Sequence, residues 1–202
     1  MKIIELVLDE DNLEENNGIT AISIVENPAI EEDFIALKNQ EFKFAEQDKE
    51  KRILMGAALV PNRPIYRKSG EEEFYIFFSK DTVRKASELF FIKGNQSEST
   101  LEHKSPLEGL TIVESWIVEG EQDKSRHYGL NAPIGTWMVS MKVNNDDVWN
   151  NYVSTGKVKG FSIEAYFSSK LEQRPKDKTL KEEAAAQEFI NTISKILKES
   201  NE

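Results

Sequence analysis

Cysteine is absent from the 202-residue chain. That excludes disulfides, thiolate metal sites and a cysteine nucleophile together, and it fits a reducing cytoplasm. Histidine is scarce, with only His103 and His127, too few for a multi-histidine metal site. No apolar run approaches the ~20 residues of a membrane-spanning helix. Met1-Lys2-Ile3-Ile4-Glu5 lacks the apolar stretch and cleavage site of a secretory signal, so a soluble intracellular protein is expected. Positive charge is in short supply too: 26 Lys and Arg stand against 36 Asp and Glu, a formal net charge of −10. Such a surface repels phosphate, which argues against nucleic acid and against anionic membranes as partners.

What is abundant is apolar and aromatic. Hydrophobic residues make up 39% of the chain and include 11 Phe, 5 Tyr and 3 Trp, a load that a disordered chain does not carry. Residues 3–8, 19–25, 53–60 and 74–78 read as strands, and residues 38–50 as a charged surface loop. Ser79 or Asp81 caps a helix with Val83, Ala86, Leu89 and Phe90 at helical spacing, which Gly94 ends. Strands are expected near 100–104, 110–118 and 136–143, then a helical face of Val148, Trp149, Tyr152 and Val153 stopped by Gly156, then a strand over 157–167. The organisation is a β-rich globular domain over 1–168, a polar linker over 169–178 and a helical arm over 179–202. In the arm, Phe189, Ile193 and Ile196 form an apolar stripe that wants a partner, either its own domain or another chain.

Three residues could carry chemistry. Along 157–167 side chains alternate between faces. Phe161, Ile163, Ala165 and Phe167 share one face; Gly160, Ser162 and Glu164 share the other. With the apolar face in the core, Ser162 stands on an accessible face, rigidly mounted beside a small residue, as a nucleophile must be; it is equally a serine on the wet side of an ordinary strand. In 100–104, Leu101 and His103 share a face turned toward the protein body, where His103 is either a packed histidine or a general base. His127 lies in a hydrophilic loop. Over 110–118, Glu114 shares a face with Leu110, Ile112, Trp116 and Val118. A carboxylate there needs a partner, which is an imidazole N–H or imidazolium, or else a structural Lys or Arg, or water where burial is incomplete. Nucleophile, base and orienting acid are thus all present, although periodicity cannot bring them together.

Several segments carry a more specific message. These are 26–34 (ENPAIEEDF), 56–67 (GAALVPNRPIYR), Glu102-His103-Lys104, 113–119 (VESWIVE), 135–143 (GTWMVSMKV) and 156–164 (GKVKGFSIE). In order and spacing they resemble the XkdF-like phage serine proteases, over roughly residues 20–168. That family looks like a branch of the prohead proteases, which share an assemblin-like fold with herpesvirus maturation proteases. The resemblance implies an α+β fold, a mostly antiparallel closed β-barrel flanked by helices. It implies a serine endopeptidase that cleaves phage scaffold and major capsid proteins, and itself, inside the procapsid in the bacterial host cytoplasm. Ser162 takes the serine role and His103 the histidine role, each on a barrel strand. The third member varies between branches; Glu114 is the choice here, with Glu164 as the alternative. Backbone N–H groups of the loop from Gly129 to Gly135 are expected to hold the oxyanion. No metal or organic cofactor is implied, and the arm is expected to join the protease to scaffold or to a second copy. The competing reading is a non-catalytic acidic assembly protein that keeps the protease fold.

Overall fold

The computed structural model describes residues 2–8, 17–28, 45–48 and 51–169. The arm over 179–202 and nearly all of the linker lie outside the described residues.

Strands dominate, in three four-stranded sheets. In chain order they are β1 (Lys2–Val7), β2 (Gly18–Val25), β3 (Ala45–Asp48), β4 (Ile53–Leu59), β5 (Ile65–Ser69) and β6 (Glu72–Phe78), then β7 (Ser99–Leu101), β8 (Ser105–Leu107), β9 (Leu110–Ile117), β10 (Trp137–Val143), β11 (Gly160–Tyr166) and β12 (Ser168–Ser169). One sheet runs β12-β1-β6-β5, the second β3-β4-β10-β9 and the third β11-β2-β7-β8. Pairing is antiparallel except for β1 with β6 and β2 with β7. The α+β character agrees with expectation, but no closed barrel forms among the described residues. Each sheet ends in edge strands, because β11 pairs only with β2 and β9 only with β10. Residues 45–48, expected in a loop, pair with β4. Ser169, expected to open the linker, pairs with Leu6.

Helix α1 (Lys80–Ile92) begins as its sequence dictates: the Ser79 side chain accepts the Thr82 N–H and satisfies one free donor of the first turn. Its buried residues Val83, Ala86 and Phe90 pack onto the second and third sheets, with the Phe90 ring edge-on to Trp137 at 5.4 Å. Asn145 caps a short α2 (Asp146–Val148), which runs into a π-helical turn at Trp149–Val153. The main core joins Ile22, Ile24, Leu54, Leu59, Val139 and Phe161 with these helices. A second cluster, Ala57, Val60, Val118, Ala132 and Met138, covers the opposite face of the second sheet.

Candidate active site

β11 keeps the alternation read from its sequence. Its pairing with β2 contains a bulge, but the extra residue is Thr20 on β2, where Glu164 pairs Ala21 and Ala165 pairs Ile19. Ser162 and Glu164 therefore stay on one face. Ser162 lies opposite Ser23, and Ser23 opposite Thr100, in a row of small polar residues across three strands. The open face expected for Ser162 is not found: the residue is only 6% exposed and Ser23 is fully buried. The turn after β7 folds back over Ser23, where the His103 backbone N–H donates to Ser23 Oγ at 3.1 Å.

That turn also corrects the placement of His103. The chain does not continue as a strand through 104. β7 ends at Leu101, and Glu102 and His103 take φ of 53° and 56°, while the Lys104 N–H donates to the Leu101 carbonyl at 3.0 Å. Two consecutive left-handed residues make the tight hairpin turn that usually demands Asn-Gly. For residues with a Cβ this costs on the order of 1–2 kcal/mol each. Neighbours hold the turn: the Glu102 carboxylate accepts the Glu26 N–H at 2.6 Å, and the Glu102 N–H donates to the Ile24 carbonyl at 3.2 Å. Strain retained at such a point is characteristic of functional sites.

The imidazole, 42% exposed, places Nδ1 3.5 Å from Glu164 Oε1. Glu164 reaches so far because its register partner on β2 is Ala21. A methyl group leaves room for the carboxylate to cross β2 and accept a hydrogen bond from the Thr100 hydroxyl on β7. The Thr20 hydroxyl donates to the Glu164 carbonyl at 3.2 Å, and the Ser23 hydroxyl donates to the Thr100 carbonyl at 3.3 Å. The serine, the histidine and the alternative acid thus share one face, although no hydrogen bond joins Ser162 to His103. Sequence reasoning gave no sign of the supporting residues Ser23, Thr100 and Ala21, because their importance lies in register.

Glu114 lies elsewhere. β9 has its own bulge: Glu114 pairs Ser140 and Ile112 pairs Met141, leaving Val113 as the extra residue. Ser140 and Met141 are neighbours and face opposite ways, so Glu114 is turned away from the face of Ile112. Its carboxylate accepts from Ser140 Oγ at 2.6 Å and pairs with Lys124 Nζ at 3.1 Å; Lys124 also sits over the Trp116 ring at 3.9 Å. The Ser140 hydroxyl, aided by Lys124 and opposed by burial, holds the Glu114 carboxyl below its ordinary pKa. A depressed folded-state value stabilises the fold above the ordinary carboxylate range, and that contribution is lost as pH falls through the folded value. Glu114→Gln is therefore expected to lower the Tm at neutral pH and to converge with wild type in strong acid. Melting curves at both extremes check this.

The loop from Gly129 to Gly135 already uses much of its donor capacity. The N–H groups of Gly129, Leu130 and Gly135 bond to the carbonyls of Arg126, Ser125 and Val118, and Pro133 has none. His127 lies in the 3-10 turn Lys124–Tyr128 and is exposed. Among the described residues, no group of three or more carboxylate or imidazole side chains is placed to hold a metal, and no helix is long and apolar enough to cross a membrane.

The family model described as "Putative phage serine protease XkdF" matches residues 41–171. The chain belongs to that family. The match takes in His103, Glu114, Ser162 and Glu164, whereas the segment 26–34 precedes it. No curated protein and no solved structure matches the chain. Within this phage protease family, the face shared by His103, Ser162 and Glu164 is the candidate active site.

Proposed function

We propose that the protein is the serine endopeptidase of phage capsid assembly, cleaving scaffold and major capsid proteins, and itself, within the procapsid in the host cytoplasm. The observation that supports the catalytic assignment is the approach of Glu164 Oε1 to His103 Nδ1, at 3.5 Å, on the face that carries Ser162. In this reading Glu164 orients the imidazole through Nδ1 and stabilises the imidazolium. Nε2 takes the Ser162 proton as Oγ attacks the scissile carbonyl. The proton passes to the leaving amine, and water then releases the acyl group by the same route. The acid is Glu164 rather than Glu114, whose carboxylate is engaged by Ser140 and Lys124. Substrate tails bind extended along the outer edge of β11, which among the described residues has no strand partner beyond β2.

Incubating the purified protein with the scaffold and capsid proteins of its phage tests this reading. Discrete fragments are expected, and Glu164→Gln should slow their appearance ~100-fold or more. Glu114→Gln should leave the rate near that of wild type. Uncleaved scaffold would favour a non-catalytic assembly protein. A slow Glu114→Gln beside a normal Glu164→Gln would return the acid to β9.

A further inference from the structure

Thr100 pairs in register with Ser23, and Ser23 with Ser162, so the three side chains share one face. The Thr100 hydroxyl donates to Glu164 Oε1, the same oxygen that stands 3.5 Å from His103 Nδ1. An ionised carboxylate only accepts, so this bond decides which oxygen meets the imidazole. Little else does. The Glu164 side chain reaches from β11 across β2 on three rotatable bonds and is 31% exposed, so water competes for it. Among the described residues its carboxylate meets no donor except the Thr100 hydroxyl and the imidazole. Thr100 is itself anchored. Its carbonyl accepts from Ser23 Oγ at 3.3 Å, and the same oxygen of Ser23 accepts from the His103 backbone N–H at 3.1 Å. Ser23 is fully buried. One strand therefore ties both groups together: the hydroxyl of Thr100 holds the acid, and its carbonyl, through Ser23, holds the backbone of the base.

We propose that Thr100 is a positioning residue: its hydroxyl aims Glu164 at His103 Nδ1 and so selects the imidazole tautomer that leaves Nε2 free to accept the serine proton. The assignment rests on the reading of Glu164 as the acid of the site. A neutral imidazole carries its proton on one nitrogen, and the partner of the other nitrogen decides which. With Glu164 held at Nδ1, the proton sits there. Once Glu164 swings free, Nε2 takes a share of it, and a protonated Nε2 is no base. Misplacing a positioned group by ~1 Å costs up to about 100-fold in rate.

Side-chain nitrogen NMR of the full chain, in alkaline buffer where imidazole is neutral, reads the tautomer without any substrate. There are only two histidines, so His127→Ala assigns the signals. Wild type should carry the His103 proton on Nδ1. Thr100→Val keeps the shape and removes the hydroxyl; it should shift the proton toward Nε2, as should Thr100→Ala. Thr100→Ser should keep the wild-type signature. On a cleaved peptide, kcat should fall roughly 10- to 100-fold in Thr100→Val with KM near wild type, and recover in Thr100→Ser. Added to Glu164→Gln, the same change should cost no more than about 2-fold further, because the two residues act as one unit. A wild-type proton on Nε2, or a tautomer that Thr100→Val leaves unchanged, would overturn the positioning. So would a loss in Thr100→Val that is as large with Glu164→Gln as without it. A slow Glu164→Gln beside a normal Thr100→Val overturns the positioning and leaves the acid standing. If Thr100→Val shifts the tautomer but wild type cleaves nothing, the positioning stands and the endopeptidase reading fails.

Discussion

Replacing Ser162 by alanine is expected to abolish peptide-bond cleavage, lowering turnover by roughly four to six orders of magnitude, while the protein stays folded. The two halves of this expectation come from the same geometry. Ser162 is buried, at 6% exposure, but its hydroxyl makes no hydrogen bond among the described residues. Among the described residues its removal therefore strands no partner, and alanine fits wherever serine does. Stability should change by no more than about 1 kcal/mol, so a loss of turnover reports on chemistry. Circular dichroism and a denaturant titration beside the cleavage assay separate the effects. An unfolded Ser162→Ala would mean that the hydroxyl row with Ser23 and Thr100 is structural.

His103 should be nearly as sensitive, with a loss of roughly four orders of magnitude or more when the base is removed. Here the backbone complicates the choice of variant. At φ 56° alanine carries the same left-handed strain as histidine but brings no ring, so a weakened turn could mimic a lost base. Asparagine tolerates this conformation and cannot accept the serine proton. His103→Asn should therefore keep the hairpin and remain inactive. An active His103→Asn with an inactive His103→Ala would assign the residue to the turn alone. His127→Ala, altering an exposed residue of a separate 3-10 turn, should be close to wild type.

These expectations depend on features of unequal visibility in the chain. The serine face of β11 was legible because the bulge beside it lies on β2, leaving the period of two intact. The face of Glu114 was not, because the extra residue, Val113, lies on β9 itself and reverses everything after it. A single inserted residue has no signature in hydrophobic alternation when the inserted residue is itself apolar. The hairpin at Glu102-His103 escaped notice because it lacks the glycine or asparagine that marks such turns; the surrounding hydrogen bonds impose it from outside. Capping at Ser79 and Asn145 was readable or nearly so, since caps are local. Sheet closure is a long-range property that no local pattern carries, so the barrel rested on resemblance alone, and the strands instead form three sheets with edges.

The central claim is that Ser162 is a nucleophile activated by His103. Treatment of the full chain with a fluorophosphonate, followed by intact-mass measurement and peptide mapping, tests it without a known substrate. One adduct per chain is expected, mapped to Ser162, formed slowly or not at all in His103→Asn and slowed in Glu164→Gln. Labelling at another serine, or equal labelling of Ser162 with and without the imidazole, would contradict it.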